Sequence, residues 1–202
     1  VDKNSGVKEH DYPGTFIVVE GADGAGTTTQ SKKLAERLDA EWTFEPTDKR
    51  IGVKVNKMIS SEDHSPETVA LGFAADRMAH LEDRVIPWLK EGKTVVSDRY
   101  YHSSLVYQPV MGADREWVDK LNKEALKPDL TFILDISAEI GMERVDDRGR
   151  DGNIFEQLSF QEKVVNRYRK LENESTILVD ASNPEEEVFK EIKSQVEQNI
   201  DP

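Results

Sequence analysis

Cysteine is absent from the 202-residue chain, which excludes a disulfide framework, a thiolate metal site and a cysteine nucleophile. The four histidines, His10, His64, His80 and His102, show no metal-ligand spacing. Neither a Ser-His-Asp order nor a G-x-S-x-G turn is present. No apolar run approaches the ~20 residues that span a bilayer. No charged-then-apolar leader is visible, so the cytoplasm is the expected location and no membrane contact is expected. Positive charge is scarce: 27 Lys and Arg stand against 40 Asp and Glu, for a formal net charge of −13. A protein that grips nucleic acid usually carries a basic patch. Here the arginines are scattered through the second half, and no nucleic-acid partner is expected. The Asn-Lys-x-Asp signature that reads guanine is missing as well, which counts against a GTPase.

The length suits one well-packed domain, and 37% hydrophobic residues suffice for its core. Residues 1–14 are polar, hold Gly6, Pro13 and Gly14, and read as a flexible tail. Residues 15–202 read as a single domain. Thr15–Glu20 is apolar and β-branched, the pattern of a buried strand. Further strands are expected at Trp42–Thr47, Thr94–Asp98, Leu130–Ile136 and Thr176–Asp180. Between them fall helical patterns at Thr27–Ala40, Ile51–Ile59, Pro66–Lys90, Tyr100–Gln108, Ala113–Ala125, Ala138–Val145 and Ile154–Glu172, with Asn183 capping a last helix. Pro87 should kink or end the helix it lies in. Strands alternating with helices predict a parallel sheet covered on both faces.

Four stretches carry chemistry. Gly21-Ala22-Asp23-Gly24-Ala25-Gly26-Thr27-Thr28-Thr29 joins the first strand to a helix and follows the spacing G-x-x-x-x-G-K-[ST], with Thr27 in the lysine position. Three glycines let backbone N–H groups approach a phosphate, and Thr28 offers a hydroxyl for Mg²⁺. The plain alternative is a turn without a ligand. Asp98 closes a buried strand, where it faces the ligand crevice of a parallel sheet or caps the helix that follows. Arg99 beside it can grip a phosphate in bidentate fashion. Phe73 and Arg77 share a helix face; they suit a base and a phosphate, or belong to core and rim. Arg144, Arg148 and Arg150 lie in a glycine-containing charged stretch over 146–153 and its approach. It reads either as a lid that brings cations to a transferring phosphoryl group or as a solvated loop paired with its own aspartates.

Taken in order, these segments resemble thymidylate kinase over about Phe16 to Tyr168. The resemblance is carried by Val19-Glu20-Gly21-Ala22-Asp23-Gly24-Ala25-Gly26, Phe73-Ala74-Ala75-Asp76-Arg77, Val95-Val96-Ser97-Asp98-Arg99-Tyr100, Ser103-Ser104-Leu105-Val106-Tyr107-Gln108 and Phe155-Glu156. It implies a three-layer P-loop α/β fold with a five-stranded parallel sheet, a homodimer, and Mg²⁺-dependent transfer of a phosphoryl group from ATP to dTMP. Phe73 would stack on thymine, and Arg77 and Arg99 would hold the dTMP phosphate. Asp23 would take the sugar 3′-hydroxyl, and Tyr107 would crowd out a 2′-hydroxyl. Glu45, Ser103 and Ser104 would complete the acceptor site, with Gln108 at its rim. Arg144, Arg148 and Arg150 would close on ATP, and Gly24 places the chain with the branch whose catalytic cation comes from the lid.

The chain departs from the family pattern in three places. Thr27 replaces the loop lysine, Phe44 replaces the arginine before Glu45-Pro46, and Asn153-Ile154 replaces an Asp-Arg pair. Two other readings therefore stand beside a dTMP kinase: a related nucleotide kinase with another acceptor, and a nucleotide-binding protein without catalysis.

Overall fold

The computed structural model describes residues 7–61, 63–146 and 154–200, and the side chains of 146 and 154–156 are outside the described set. Five strands form one parallel sheet in the order β2-β3-β1-β4-β5. They are β1 (Phe16–Gly21), β2 (Glu41–Phe44), β3 (Val95–Asp98), β4 (Leu130–Asp135) and β5 (Thr176–Asp180). The central strand β1 pairs with β3 from Phe16↔Val95 to Val19↔Asp98 and with β4 from Ile17↔Leu130 to Gly21↔Leu134. Strand order reverses about β1. The loops after β1 and β3 therefore open side by side at the carboxyl edge, where ligands of such sheets bind.

Both sheet faces are covered, so the strands read as continuous apolar runs. Ile17 and Val19 look toward α1 (Thr27–Leu38) and α9 (Glu185–Asn199), joining Leu34, Phe132, Val188 and Ile192 in one cluster. Phe16 and Val18 look to the other face. There they meet Leu81, Val85 and Leu89, from α3 (Pro66–His80) onward to α4 (Ile86–Lys90), and Leu105 of α5 (Tyr101–Met111). Ile133 on that same side packs with Val106 of α5 and with Val164 and Tyr168 of α8 (Ile154–Tyr168). The remaining helices are α2 (Arg50–Ser61), α6 (Arg115–Leu121) and α7 (Ala138–Asp146).

The long helix expected over 66–90 is interrupted by a π turn at Leu81–Val85. Pro87 lies two residues past its end and has no N–H to return to the preceding turn, which accounts for the widened winding. α9 begins at Glu185 without a side-chain cap. Asn183 instead donates to the Asp180 carbonyl at 3.3 Å. Of the expected tail, residues 1–6 are outside the described residues. The rest of it is pinned: Lys8 N–H donates to the Ala125 carbonyl at 2.8 Å, Lys127 N–H to the Lys8 carbonyl at 2.9 Å, and Gly14 N–H to the Leu89 carbonyl at 2.9 Å. Local composition could not disclose these partners, all more than 70 residues distant.

His102 at the start of α5 is buried, and burial followed by the nearby Arg77 charge lowers its pKa from 6.5 to about 3. Its folded value is depressed, so the unfolded state takes up the proton first as the solution is acidified. Its contribution to stability is complete above pH 6.5 and declines as pH falls toward 3. Thermal melts between these limits should show a steeper acid loss for the wild type than for His102→Gln; equal slopes would contradict the assignment.

Candidate active site

β1 runs into the glycine loop at its Gly21 end, and α1 starts at Thr27. Gly24 (φ 80°) and Gly26 (φ 92°) adopt backbone conformations that favour glycine. No side chain caps α1, so its first-turn N–H groups are left for a ligand, at the positive end of the helix dipole. Thr27, in the lysine position, is buried. Its methyl carbon lies 3.2 Å from where a Gly21 Cβ would stand, so this side chain packs inside the loop. Arg144 at the end of α7 donates to the Gly24 carbonyl at 3.4 Å. A Cβ on Gly24 would lie 2.1 Å from the Gly141 carbonyl oxygen. Gly24→Ala is therefore expected to cost about 2–3 kcal/mol and to abolish nucleotide binding. Chemical denaturation and an ATP titration check both outcomes.

Asp98 ends β3 beside the loop, and one carboxylate oxygen accepts a hydrogen bond from the Thr28 hydroxyl. The other oxygen, Oδ1, is buried with no hydrogen-bond partner. An orphaned carboxylate oxygen paired with a hydroxyl at a phosphate-type loop fits a magnesium ion, which prefers one or two carboxylates, phosphate oxygens and water. Among the described residues no group of three or more acidic or histidine side chains could hold a metal alone.

Arg99 follows with a left-handed backbone at φ 67°. Its Nη1 donates to the Gly21 carbonyl at 2.9 Å and to Ser103 Oγ at 3.2 Å, and its Nη2 to Asp23 Oδ1 at 3.2 Å. The guanidinium lies over the Tyr107 ring, 5.5 Å from its centre. Tyr107 donates its hydroxyl to Asp23 Oδ1 at 3.1 Å, and Gln161 of α8 reaches Asp23 Oδ2 at 3.1 Å. Two cavities meet here. One, of about 950 Å³, runs along the glycine loop past Arg144 to the turn Ala181–Pro184. The other, of about 240 Å³, lies between Phe73, Arg77, Ser104, Tyr107 and Gln108. Asp23 and Arg99 line both.

Arg77 lies deep in the smaller cavity, 1% exposed. Its Nε donates to Glu45 Oε2 at 2.9 Å, and its terminal nitrogens reach Ser104 Oγ at 3.3 Å and Asn122 Oδ1. Glu45 meets His80 Nδ1 at 3.0 Å with its other oxygen. The charge of Arg77 is thus already balanced within the protein, while Arg99 stands at the mouth beside the loop. Gln108 is not at a rim: it is 2% exposed, and its Oε1 is buried without a partner. Phe44 packs against Trp42 at 5.2 Å between ring centres.

Sequence reasoning missed Glu20, which is fully buried and accepts from Tyr100 N–H at 2.7 Å and from the Ser103 and Tyr168 hydroxyls at 2.7 and 2.9 Å. Its pKa is raised, chiefly by burial, and Arg99, Ser103, Tyr168 and Tyr100 N–H offset that rise only in part. A carboxylate within an apolar strand was the available signal. Tyr168, Gln161 and Asn122 gave none, because their partners come from a strand, a loop and a helix far away in the chain. The turn Ala181–Pro184 was also missed. Arg148 and Arg150, with the stretch 147–153, are outside the described residues.

The family model of thymidylate kinase matches residues 19–192. The chain is 40% identical over 195 residues to a probable thymidylate kinase of Methanococcus maripaludis, covering 92% of this chain and 96% of that one. It is 40% identical over 180 residues to the probable thymidylate kinase of Methanocaldococcus jannaschii, covering 88% and 93%. It is 36% identical over 203 residues to that of Thermococcus gammatolerans, covering 93% and 98%. A parallel sheet with a glycine loop at its switch point, an aspartate on the neighbouring strand and two cavities joined at one arginine accords with these matches, and the chain belongs to the thymidylate kinase family.

Proposed function

We propose that the protein is a cytoplasmic kinase that transfers the γ-phosphoryl group of ATP to dTMP, giving dTDP and ADP. The observation that carries this reading is the pair of cavities that share Asp23 and Arg99. Two phosphate-bearing molecules can be held with their phosphates facing each other, and transfer between them then depends on alignment and charge neutralisation.

The larger cavity takes ATP. The loop N–H groups cradle its phosphates, Arg144 contacts it from α7, and the turn Ala181–Pro184 borders its far end. Thr28 and Asp98 would hold Mg²⁺, which neutralises the phosphate oxygens when bound. Arg99 binds the acceptor phosphate and reaches the transferring group, a task that buried Thr27 cannot perform.

The smaller cavity takes the acceptor. Phe73 supplies a flat apolar wall, and Asp23 and Tyr107 face the sugar. Arg77 was expected at the phosphate. Its charge is already paired by Glu45 at the cavity's inner end, so it is assigned to the base edge. Thymine presents one ring N–H between two carbonyl oxygens. The orphaned Gln108 Oε1 suits that N–H, and Arg77, whose two terminal nitrogens share Ser104 Oγ at 3.3 Å, can turn one N–H to a carbonyl. Exposed Ile51, Val53 and Ile59 of α2 and Leu71 of α3 would supply the homodimer surface.

A coupled ADP-release assay with dTMP, dUMP, dCMP and AMP tests the reading. A missing methyl group should lower kcat/KM for dUMP by about tenfold, whereas dCMP lacks the ring N–H and should be worse by about 10⁴. A preference for dCMP or AMP would transfer the protein to another acceptor. ATP binding without turnover on any acceptor would leave only a nucleotide-binding role.

A further inference from the structure

The even-numbered positions of β1 face α5 and α8. Two of them, Phe16 and Val18, are apolar and fully buried, and the third is Glu20, equally buried. A carboxylate persists in such a place only when its oxygens are taken up by donors. Tyr100 N–H at 2.7 Å and Ser103 N–H at 3.1 Å donate to Oε1. The Ser103 hydroxyl at 2.7 Å and the Tyr168 hydroxyl at 2.9 Å donate to Oε2. The first two bonds start α5, which has no side-chain cap of its own, so a strand residue caps that helix through space.

The second pair acts further out. Each hydroxyl has one proton, and the two hydroxyls also lie 2.9 Å from each other; each proton goes to Glu20 or to the other hydroxyl, which leaves only lone pairs on the outer side. Those lone pairs face Arg99 Nη1, at 3.2 Å from Ser103 and 3.5 Å from Tyr168. The hydrogen bonds therefore run in one direction, from the Arg99 guanidinium to two hydroxyls to one carboxylate, and each link polarises the next.

We propose that Glu20 is a positioning residue for Arg99: its carboxylate sets the proton direction of Ser103 and Tyr168, so that both offer acceptors to the guanidinium and hold it where the two cavities meet. The inference rests on the reading of Arg99 as the ligand of the acceptor phosphate. An amide in place of the carboxylate has its own protons to give. At least one hydroxyl must then accept from it and turn its proton outward, toward an N–H of Arg99. That contact is lost, while those to the Gly21 carbonyl and Asp23 remain. Arg99 stays in the site but is no longer aimed.

Glu20→Gln, which keeps the shape of the side chain, is the test, with dTMP and thymidine titrated calorimetrically into wild type and variant. The Kd for dTMP should rise about tenfold or more, and the Kd for thymidine, which has no phosphate, should stay within about twofold. Tyr168→Phe should show the same selective loss at smaller size, and the double variant should be no worse than Glu20→Gln alone. Equal losses for dTMP and thymidine, or no loss for either, overturn the proposal. If Glu20→Gln does not fold, Tyr168→Phe and Ser103→Ala carry the same comparison with the same two outcomes. Wild-type protein that binds both ligands equally would refute the acceptor reading alone. Tripolyphosphate, which meets Arg99 from the loop cavity, then replaces dTMP, and its Kd must still rise in Glu20→Gln for the proposal to stand.

Discussion

Replacement of Arg99 by alanine is expected to lower kcat/KM for dTMP by about 10³-fold or more. The side chain borders both cavities, so its loss weakens the hold on the acceptor phosphate and removes positive charge from the transferring group. With Thr27 buried in the lysine position, no loop side chain compensates. Arg99→Lys should recover only a small part of the rate, because a point ammonium cannot reach the Gly21 carbonyl, Ser103 and Asp23 together as the fork of Arg99 does. Steady-state kinetics with varied dTMP check this. A loss below tenfold in Arg99→Ala would show that the catalytic cation lies elsewhere. Protein stability should change little, since Arg99 is partly exposed.

The second large effect is on stability. Glu45 and Arg77 form an ion pair at 2.8 Å with side chains 2% and 1% exposed. Glu45→Ala leaves the Arg77 guanidinium buried without a carboxylate partner, held by Ser104, Asn122 and the face of the Tyr100 ring. Breaking a buried pair in this way costs about 3–5 kcal/mol. For a chain of this size that corresponds to a fall in Tm of about 10 °C. Differential scanning calorimetry should show that loss, together with weakened selection of dTMP over dCMP as Arg77 moves from the base edge. An unchanged Tm would mean that water or another acid satisfies Arg77. Replacing both partners with apolar residues should recover stability but not the selectivity, since an apolar pair needs no hydrogen bonds.

Much of the site was legible because its signals are local. The glycine loop needs positive φ at Gly24 and Gly26 and an unobstructed helix start, and both requirements are written in adjacent letters. Asp98 and Arg99 were legible for a similar reason: a polar residue at the end of a buried strand in a parallel sheet faces the crevice. The spacing of Arg77 from Phe73 put both on one helix face, and the resemblance assigned them to the acceptor, but the charge balance of Arg77 was not visible. Glu45 lies 32 residues away in sequence, and only the packing of α3 against the loop after β2 joins them. Gln108 was placed at a rim by the resemblance alone, whereas the packing of α5 against α3 and α8 buries it.

The sequence by itself determined the sheet, the loop, the family and most residues of the candidate site. Each of these follows from short-range periodicity and from residues whose backbone or charge has few other uses. Tertiary structure alone decided that Arg77 is paired at depth with Glu45 and that Arg99 meets Asp23 where the two cavities join, because ion pairing depends on distances between segments far apart in the chain. It also decided that Thr27 is turned inward and that Glu20, a single acid in an apolar strand, stands behind Ser103, Tyr168 and Arg99. A buried carboxylate must collect donors from whatever packs around it, and what packs around it is set by the fold.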